Sequence, residues 1–170
     1  MYTAEDILLE RERRIEYQEE LVKQYKMPML VIRVNYPGLD KDNSLSQGII
    51  KVMEQEISEI LTDSIHYKKS IRAAEGPIVI MCIKKTARDI KAVTLNIESN
   101  HILGRCVDID VYDDRGIGIS RLELGLAMRK CFICDDIAHN CVRGRKHSLD
   151  EVEGFIKRKF AEYMERSYEE

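Results

Sequence analysis

The chain has 170 residues, of which 34% are charged and 44% hydrophobic, and its formal net charge is −3. This length supports one compact domain with a hydrophobic core and is too short for two. The near-neutral charge argues against a surface that binds nucleic acid or acidic lipid as a whole. No window approaches the roughly 20 apolar residues that span a bilayer, and the N-terminus is acidic, so we expect a cytoplasmic protein without a signal peptide.

The first half of the chain predicts a helix, a strand, a second helix and a hairpin. Apolar residues at helical spacing predict an amphipathic helix over residues 4–26, and Pro28 ends it. The branched apolar run 29–34 predicts a strand, and residues 35–43 a loop. A second helix follows around residues 49–61. Two strand-like runs, 64–73 and 78–83, are separated by Glu75-Gly76-Pro77 and predict a hairpin.

The second half completes a split βαβ pattern. Residues 87–99 predict a third helix, residues 105–112 a fourth strand, and the capping box of Ser148 and Glu151 a final helix from about residue 149 to 166. The order strand, helix, strand, strand, helix, strand is typical of an α+β, ferredoxin-like fold, which several metal-dependent nucleotidyltransferase palms share. We expect an antiparallel sheet with two helices on one face and the other face free to be polar.

We predict a single domain over residues 1–170. Its predicted parts are a leading helix (1–27), a sheet core with the Asp-x-Asp strand (28–113), a Cys/Arg-rich loop region (114–147) and a C-terminal helix (148–170).

Two aspartates in the fourth predicted strand are the first candidate site. Asp108 and Asp110 are two residues apart, so both side chains lie on one face, with their Cα atoms roughly 7 Å apart. Mg²⁺ prefers hard oxygen ligands, typically one or two carboxylates completed by water and substrate phosphates. Aspartate is disfavoured in strands, and Gly104 just before them would let backbone or phosphate approach closely. The alternative is an edge strand whose outer face carries solvated acids.

A cysteine-rich stretch is the second candidate site. The chain has five cysteines, an odd number that favours a reducing compartment and metal or thiol chemistry over disulfides. Cys131, Cys134, His139 and Cys141 are candidate ligands of a structural Zn²⁺, and the first pair has zinc-knuckle spacing. The spacing of the last pair is cramped, so two alternatives remain open. His147 could replace His139, or the cysteines could be buried apolar thiols.

A basic loop precedes the final helix and is the third candidate site. Arg143, Arg145, Lys146 and His147 come directly before Ser148, where free backbone N–H groups and the positive end of the helix dipole favour anions. The alternative is an ordinary solvated loop. Together with a metal-binding acid pair, the loop favours a polyphosphate ligand.

These residues belong to a longer pattern. Gly104-Arg105 followed by Asp108-Ile109-Asp110-Val111 resembles the signature of the holo-citrate lyase synthases, the apo-citrate lyase phosphoribosyl-dephospho-CoA transferases. The resemblance extends to an N-terminal loop and to a C-terminal block. The matching residues are Asn35, Pro37-Gly38, Lys41, Ile119-Ser120-Arg121, Leu124-Gly125, Arg129, Cys131, Cys134, Ala138-His139, Cys141, Arg143, Arg145 and His147-Ser148.

The resemblance implies an enzyme with a protein substrate. Such enzymes transfer the phosphoribosyl-dephospho-CoA group from 2′-(5″-triphosphoribosyl)-3′-dephospho-CoA to a serine of the citrate lyase acyl carrier (gamma) subunit, releasing diphosphate. The nucleophile then belongs to the carrier, and we expect neither nucleic acid nor a membrane as partner. Two alternatives remain: the related transferase for the malonate decarboxylase carrier, and a zinc-knuckle module that binds nucleic acid.

Roles for individual residues follow as hypotheses. Asp108 and Asp110 would bind Mg²⁺, and Arg105 would help the metal to hold the triphosphate. His147 would act as a base or as an anion contact. Lys41 is a further candidate phosphate contact. The leaving group would be stabilised by Arg129, Arg143, Arg145 and Lys146.

Overall fold

A computed structural model describes residues 2–168 and shows a four-stranded antiparallel sheet with the order β2-β3-β1-β4. The strands are β1 (Met29–Val34), β2 (Ile65–Ala73), β3 (Gly76–Ile83) and β4 (Val107–Tyr112). The helices are α1 (Ala4–Tyr25), α2 (Ser44–Ile60), α3 (Ala87–Asn100), α4 (Ala138–Arg143) and α5 (Leu149–Ser167). This order and topology confirm the predicted α+β, split βαβ fold. Met1 and the last two residues of the predicted 148–170 segment lie outside the described residues.

The main core lies between one face of the sheet and helices α2, α3 and α5. Alternate residues of each strand point to this face, because successive side chains of a strand lie on opposite sides. The core side chains include Leu30 and Ile32 of β1, Val107, Ile109 and Val111 of β4, Met53 and Ile57 of α2, Ile90 of α3 and Ile156 of α5. Ser148 and Glu151 form the predicted capping box at the start of α5.

The second face of the sheet is covered by α1 over much of its area, which corrects the expectation of a free polar face. Leu21 packs there with Met29, Val31, Ile80 and Cys82, and all five side chains are buried. The physical reason lies in the C-terminal half of α1, where Tyr17, Val22 and Tyr25 pack beside Leu21 on this face. Polar side chains on this face are therefore concentrated at the end of β1 and along β4.

A buried ion pair attaches α1 to the sheet. Arg14 donates from Nε and NH2 to the two carboxylate oxygens of Glu75, at 2.8 and 2.9 Å, and both side chains are less than a tenth exposed. Gln18 accepts a further hydrogen bond from Arg14. Glu75 lies in the tight connection between β2 and β3, whereas Gly76 and Pro77, predicted as turn residues, begin β3.

The outer edge of β4 is occupied by side chains and by the returning chain. The N–H of Ile109 donates to Glu98 and its carbonyl accepts from Lys91, both from α3 and both buried. Beyond β4 the chain turns back, and the N–H of Ile119 donates to the carbonyl of Val111 at 2.8 Å. No helix within residues 2–168 is long and apolar enough to cross a membrane.

Candidate active site

The two aspartates lie on the same face of β4, the face shared with α1, and each carboxylate is 41% exposed. Arg33 of β1 is directly opposite Asp108 in the strand register. It reaches diagonally to Asp110, where its NH2 group donates to Oδ2 at 2.7 Å. The alternation of β4 therefore places an acid pair beside a cation that the adjacent strand supplies.

Asp108 has two further partners. Its Oδ1 atom accepts from Nδ2 of Asn35 at 3.1 Å and from NH1 of Arg129 at 2.8 Å. Among residues 2–168, Asp108 Oδ2 and Asp110 Oδ1 accept no protein hydrogen bond. One oxygen of each carboxylate is thus held by the protein, and one remains available to a ligand.

Arg33 also contacts the buried ion pair of Arg14 and Glu75. Its NH1 group lies 3.7 Å from Glu75, so a chain of charges runs from Arg14 through Glu75 and Arg33 to Asp110. Burial alone would lower the pKa of Arg33, but Asp110 and Asp108 outweigh it, and the net pKa is raised. The arginine therefore remains a permanent cation beside the acid pair.

Arg129 connects the acid pair to the chain beyond β4. Besides Asp108, its guanidinium donates to the carbonyls of Gly104 and Val107, both at 3.0 Å, and lies 3.7 Å from Glu98. A planar guanidinium can satisfy several acceptors at fixed angles, which an ammonium cannot do. Arg129 is thus the predicted phosphate contact that the fold places directly at the acid pair.

Gly104 lies buried against α3. A Cβ atom built there would be 2.4 Å from the carbonyl oxygen of Ile97 and 2.7 Å from that of Glu98. The close approach therefore involves the backbone of α3. This packing explains the glycine without a contact to substrate.

Arg105 and Lys41 already donate to backbone carbonyls. Arg105 donates to the carbonyl of Lys130, and Lys41 to that of Tyr36. Burial lowers the pKa of Lys41, and neighbouring Arg33 adds to this, although Glu75 opposes it. Both side chains are half-buried, and Lys41 lies close enough to Arg33 and Glu75 for their charges to affect its pKa.

The other predicted cations are exposed, with Arg143 at the end of α4 and Arg145 and Lys146 in the loop before α5. Arg143 lies 3.5 Å from the ring of His139, and Lys146 donates to Asp136 at 3.3 Å. Within the described chain, none of Arg143, Arg145 and Lys146 forms an ion pair with Asp108 or Asp110. They make a separate basic surface.

Four ligand atoms of the cysteine-rich segment converge. The thiols of Cys131, Cys134 and Cys141 and the ring of His147 lie within 4.8 Å of one another, a group that could hold a metal ion. His139, the other predicted histidine ligand, lies outside this group. Cys141 points inward from α4, and residues two apart on a helix do not share a face, so His139 is exposed instead.

His147 therefore belongs to the thiol cluster. Its Nε2 atom lies 3.4 Å from Sγ of Cys131, and Sγ of Cys134 lies 3.5 Å from Sγ of Cys141. The alternative in which His147 replaces His139 is the one that the geometry favours.

Several residues around the acid pair were not predicted from the sequence. Arg33, Glu75 and Glu98 were not predicted, and Asn35 was noted only as part of a resembling loop. Arg33 carried a usable signal, because it is the one charged residue in the apolar strand β1. The positions of Glu75 and Glu98 depend on how α1 and α3 pack on the sheet, which local patterns do not reveal.

An exposed carboxylate pair between arginines offers oxygen ligands for a divalent metal beside cations that attract phosphate. A family model described as apo-citrate lyase phosphoribosyl-dephospho-CoA transferase matches residues 2–163. Relatives of that name from Shigella flexneri serotype 5b and Escherichia coli O1:K1 are each 30% identical over 150 residues, covering 86% of this chain and 82% of theirs. One from Citrobacter koseri is 29% identical over the same length. The chain belongs to the apo-citrate lyase phosphoribosyl-dephospho-CoA transferase family and is an enzyme of that kind.

Proposed function

We propose that this enzyme transfers the phosphoribosyl-dephospho-CoA group from 2′-(5″-triphosphoribosyl)-3′-dephospho-CoA to a serine of the citrate lyase acyl carrier subunit, with release of diphosphate. Family membership supports the transferred group and the acceptor protein. The observation that carries the proposal is the acid pair of Asp108 and Asp110, exposed on one strand and flanked by Arg33 and Arg129.

Mg²⁺ fits the donor set of this acid pair. Asp108 and Asp110 offer two hard carboxylate oxygens without protein partners among residues 2–168, on one face of β4. We expect these two residues to hold the ion, as one or two carboxylates typically do at sites where substrate phosphates complete the coordination. When bound, Mg²⁺ would neutralise negative charge on the phosphates.

The arginines position the acids and add positive charge. Arg129 and Arg33 fix one oxygen of each carboxylate, so the orientation of the pair is set before substrate arrives. Their charge also attracts the triphosphate. We expect Arg105 and Lys41 to contribute to the same potential. We expect Arg143 at the end of α4, and Arg145 and Lys146 in the following loop, to contact the departing phosphates. His147 lies in the thiol cluster, so we do not assign it the role of base.

The chemistry needs no nucleophile from this chain. The serine hydroxyl oxygen of the carrier attacks the α-phosphorus and forms a phosphodiester bond. The bond from that phosphorus to the bridging oxygen of the β-phosphate breaks, diphosphate leaves and the serine proton is released. Positioning and electrostatic stabilisation are then the tasks left to the enzyme.

The test is transfer to the apo-carrier. The enzyme is incubated with apo-citrate lyase acyl carrier, the triphosphoribosyl donor and Mg²⁺, and the mass of the carrier is followed. We expect the mass to increase by the transferred group, and Asp108→Asn and Asp110→Asn each to slow the increase by more than ~100-fold. Chelation of Mg²⁺ should stop the wild-type reaction, and added Mg²⁺ should restore it.

Asp114→Asn is the matched control. Asp114 is also an acid near the end of β4, but it is exposed and lies in the turn beyond the strand. This variant should transfer at the wild-type rate. Unmodified carrier with the wild-type enzyme would refute the proposed function. Full activity of both Asp108→Asn and Asp110→Asn would refute the proposed role of the acid pair.

A further inference from the structure

The segment from Asp113 to His147 is poorly supported by hydrophobic packing. Cys141 is its one buried residue, at 5% exposure. Several of its large apolar side chains are instead exposed, among them Leu122, Met128 and Val142. A stretch of this length without a core of its own needs another source of order, such as a bound metal.

Two separations among the four converging ligand atoms are close to those of a tetrahedral centre. Zinc typically lies about 2.3 Å from sulfur and 2.0–2.1 Å from imidazole nitrogen, so neighbouring ligand atoms of a tetrahedral site are roughly 3.5–3.8 Å apart. The observed separations are 3.4 Å between Cys131 and His147 and 3.5 Å between Cys134 and Cys141. All four atoms lie within 4.8 Å of one another.

Two simpler interpretations leave part of this arrangement unexplained. A disulfide between Cys134 and Cys141 would require the sulfurs to approach to about 2.05 Å and would give Cys131 and His147 no role. Buried apolar thiols would not explain why a half-buried imidazole turns its Nε2 atom towards Cys131. Three thiolates and one imidazole are a typical structural zinc set.

We propose that Cys131, Cys134, Cys141 and His147 bind one Zn²⁺ ion as a closed structural centre that fixes the segment carrying Arg129. With four protein ligands the ion has no open position for substrate, so its role is to position residues. The ligands come from three places in the chain: the turn after Arg129, helix α4 and the residue before the N-cap of α5.

The connection from the centre to Arg129 is short and hydrogen-bonded. The carbonyl of Arg129 accepts from the N–H of Ala138 at 2.9 Å, and the N–H of Cys131 donates to the carbonyl of Asp136 at 2.7 Å. Phe132, between the first two ligands, stacks on Phe155 of α5 with ring centroids 4.5 Å apart. A metal here therefore joins the turn to two helices, two residues from the guanidinium that contacts Asp108.

The same ion would also close the basic loop. Arg143, Arg145 and Lys146 lie between the ligands Cys141 and His147 in the chain. The N–H of Lys146 donates to the carbonyl of Cys141 at 3.0 Å, and Arg145 has a φ of +46°, as a tight turn requires. A role for the ordered basic loop in binding phosphate rests on the proposed function, whereas zinc binding itself does not.

The first experiment measures metal and needs no substrate. The chain is purified under reducing conditions, and zinc is determined by elemental analysis. We expect about one ion per chain, and Co²⁺ substitution should give the absorption of a tetrahedral thiolate site. His147→Ala should weaken zinc binding by more than ~100-fold, beyond the 10–100-fold typical of losing an outer partner. His139→Ala is the matched control and should keep the ion, as should His147→Cys.

A second measurement tests the structural role. Trypsin cleaves after Arg and Lys, which are frequent in the segment 113–147. Removal of zinc with a chelator should raise the rate of cleavage in this segment by about tenfold or more, and added zinc should reverse it. The proposed zinc centre would be refuted if the purified chain contained no zinc. It would also be refuted if His139→Ala lost the ion while His147→Ala kept it. Bound zinc with unchanged cleavage would overturn its structural role. Neither result depends on transferase activity.

Discussion

Loss of the Glu75 carboxylate should be costly, because it would leave a buried cation without its main partner. Arg14 is 7% exposed and donates two hydrogen bonds to Glu75, which is 8% exposed. Removing one member of a buried, hydrogen-bonded ion pair typically costs about 3–5 kcal/mol. Only Gln18 would remain for Arg14. We therefore expect Glu75→Leu to lower the free energy of unfolding by about 4 kcal/mol.

The reverse substitution should cost less. In Arg14→Leu the Glu75 carboxylate keeps a second cation, because Arg33 lies 3.7 Å away. We expect a loss of about 2 kcal/mol. Replacing both partners by leucine removes both buried charges, and apolar substitution of a whole buried pair is often nearly neutral. The double variant should therefore be more stable than Glu75→Leu, so the losses of the two single variants should not add.

Urea unfolding of the wild type, the two single variants and the double variant provides the complete cycle. Glu10→Leu is a suitable control, since Glu10 pairs with an exposed arginine within α1 and should matter by less than about 1 kcal/mol. A loss below about 1 kcal/mol for Glu75→Leu, or a double variant that is less stable than both single variants, would refute this account of how α1 is attached.

Two further predictions concern the ends of β4. Gly104→Ala should lower the free energy of unfolding by more than about 2 kcal/mol, because its Cβ would lie 2.4 Å from a carbonyl oxygen of α3. Gly118→Ala is the control, since its Cβ would meet only ordinary contacts at 3.7 Å. Thermal unfolding compares the two variants, and equal losses of stability would contradict the proposed clash at Gly104. Burial alone would raise the pKa of Asp113, but hydrogen bonds from Ile117 and Arg115 lower this pKa below the ordinary 3.8. The ionised carboxylate therefore stabilises the fold fully above pH 3.8, and this contribution is lost as the pH falls through the lowered pKa. The stability difference between wild type and Asp113→Asn should shrink as pH falls below 3.8, and a constant difference down to pH 2 would contradict it.

Much of the fold was predictable because its signals are local. The apolar run of β1, the alternation of β4 and the capping box of α5 each specify an element within a few residues, and the order of elements then selects the split βαβ topology. The packing of α1 on the second face of the sheet could not be predicted from such local signals. The stripe of α1 indicates that the helix packs on something, but not on which face of which sheet.

The candidate sites show the same division. The acid pair could be predicted because two residues that are two apart in one strand have their side chains on the same face. The choice between His139 and His147 needed the orientation of α4, a six-residue helix within the predicted loop region 114–147. Arg129 was predicted as a cation, but its contact with Asp108 crosses from a loop to a strand and depends on tertiary folding.

The occupied edge of β4 affects how a partner protein can bind. Peptides and proteins often associate by adding a strand to an open sheet edge, using main-chain hydrogen bonds. Here Glu98 and Lys91 use both polar groups of Ile109, and the returning chain uses the carbonyl of Val111. The opposite edge, β2, presents Lys68 and Arg72 as exposed charges, which discourage strand pairing. We therefore expect a carrier protein to be recognised through side chains, with an association rate that is sensitive to ionic strength.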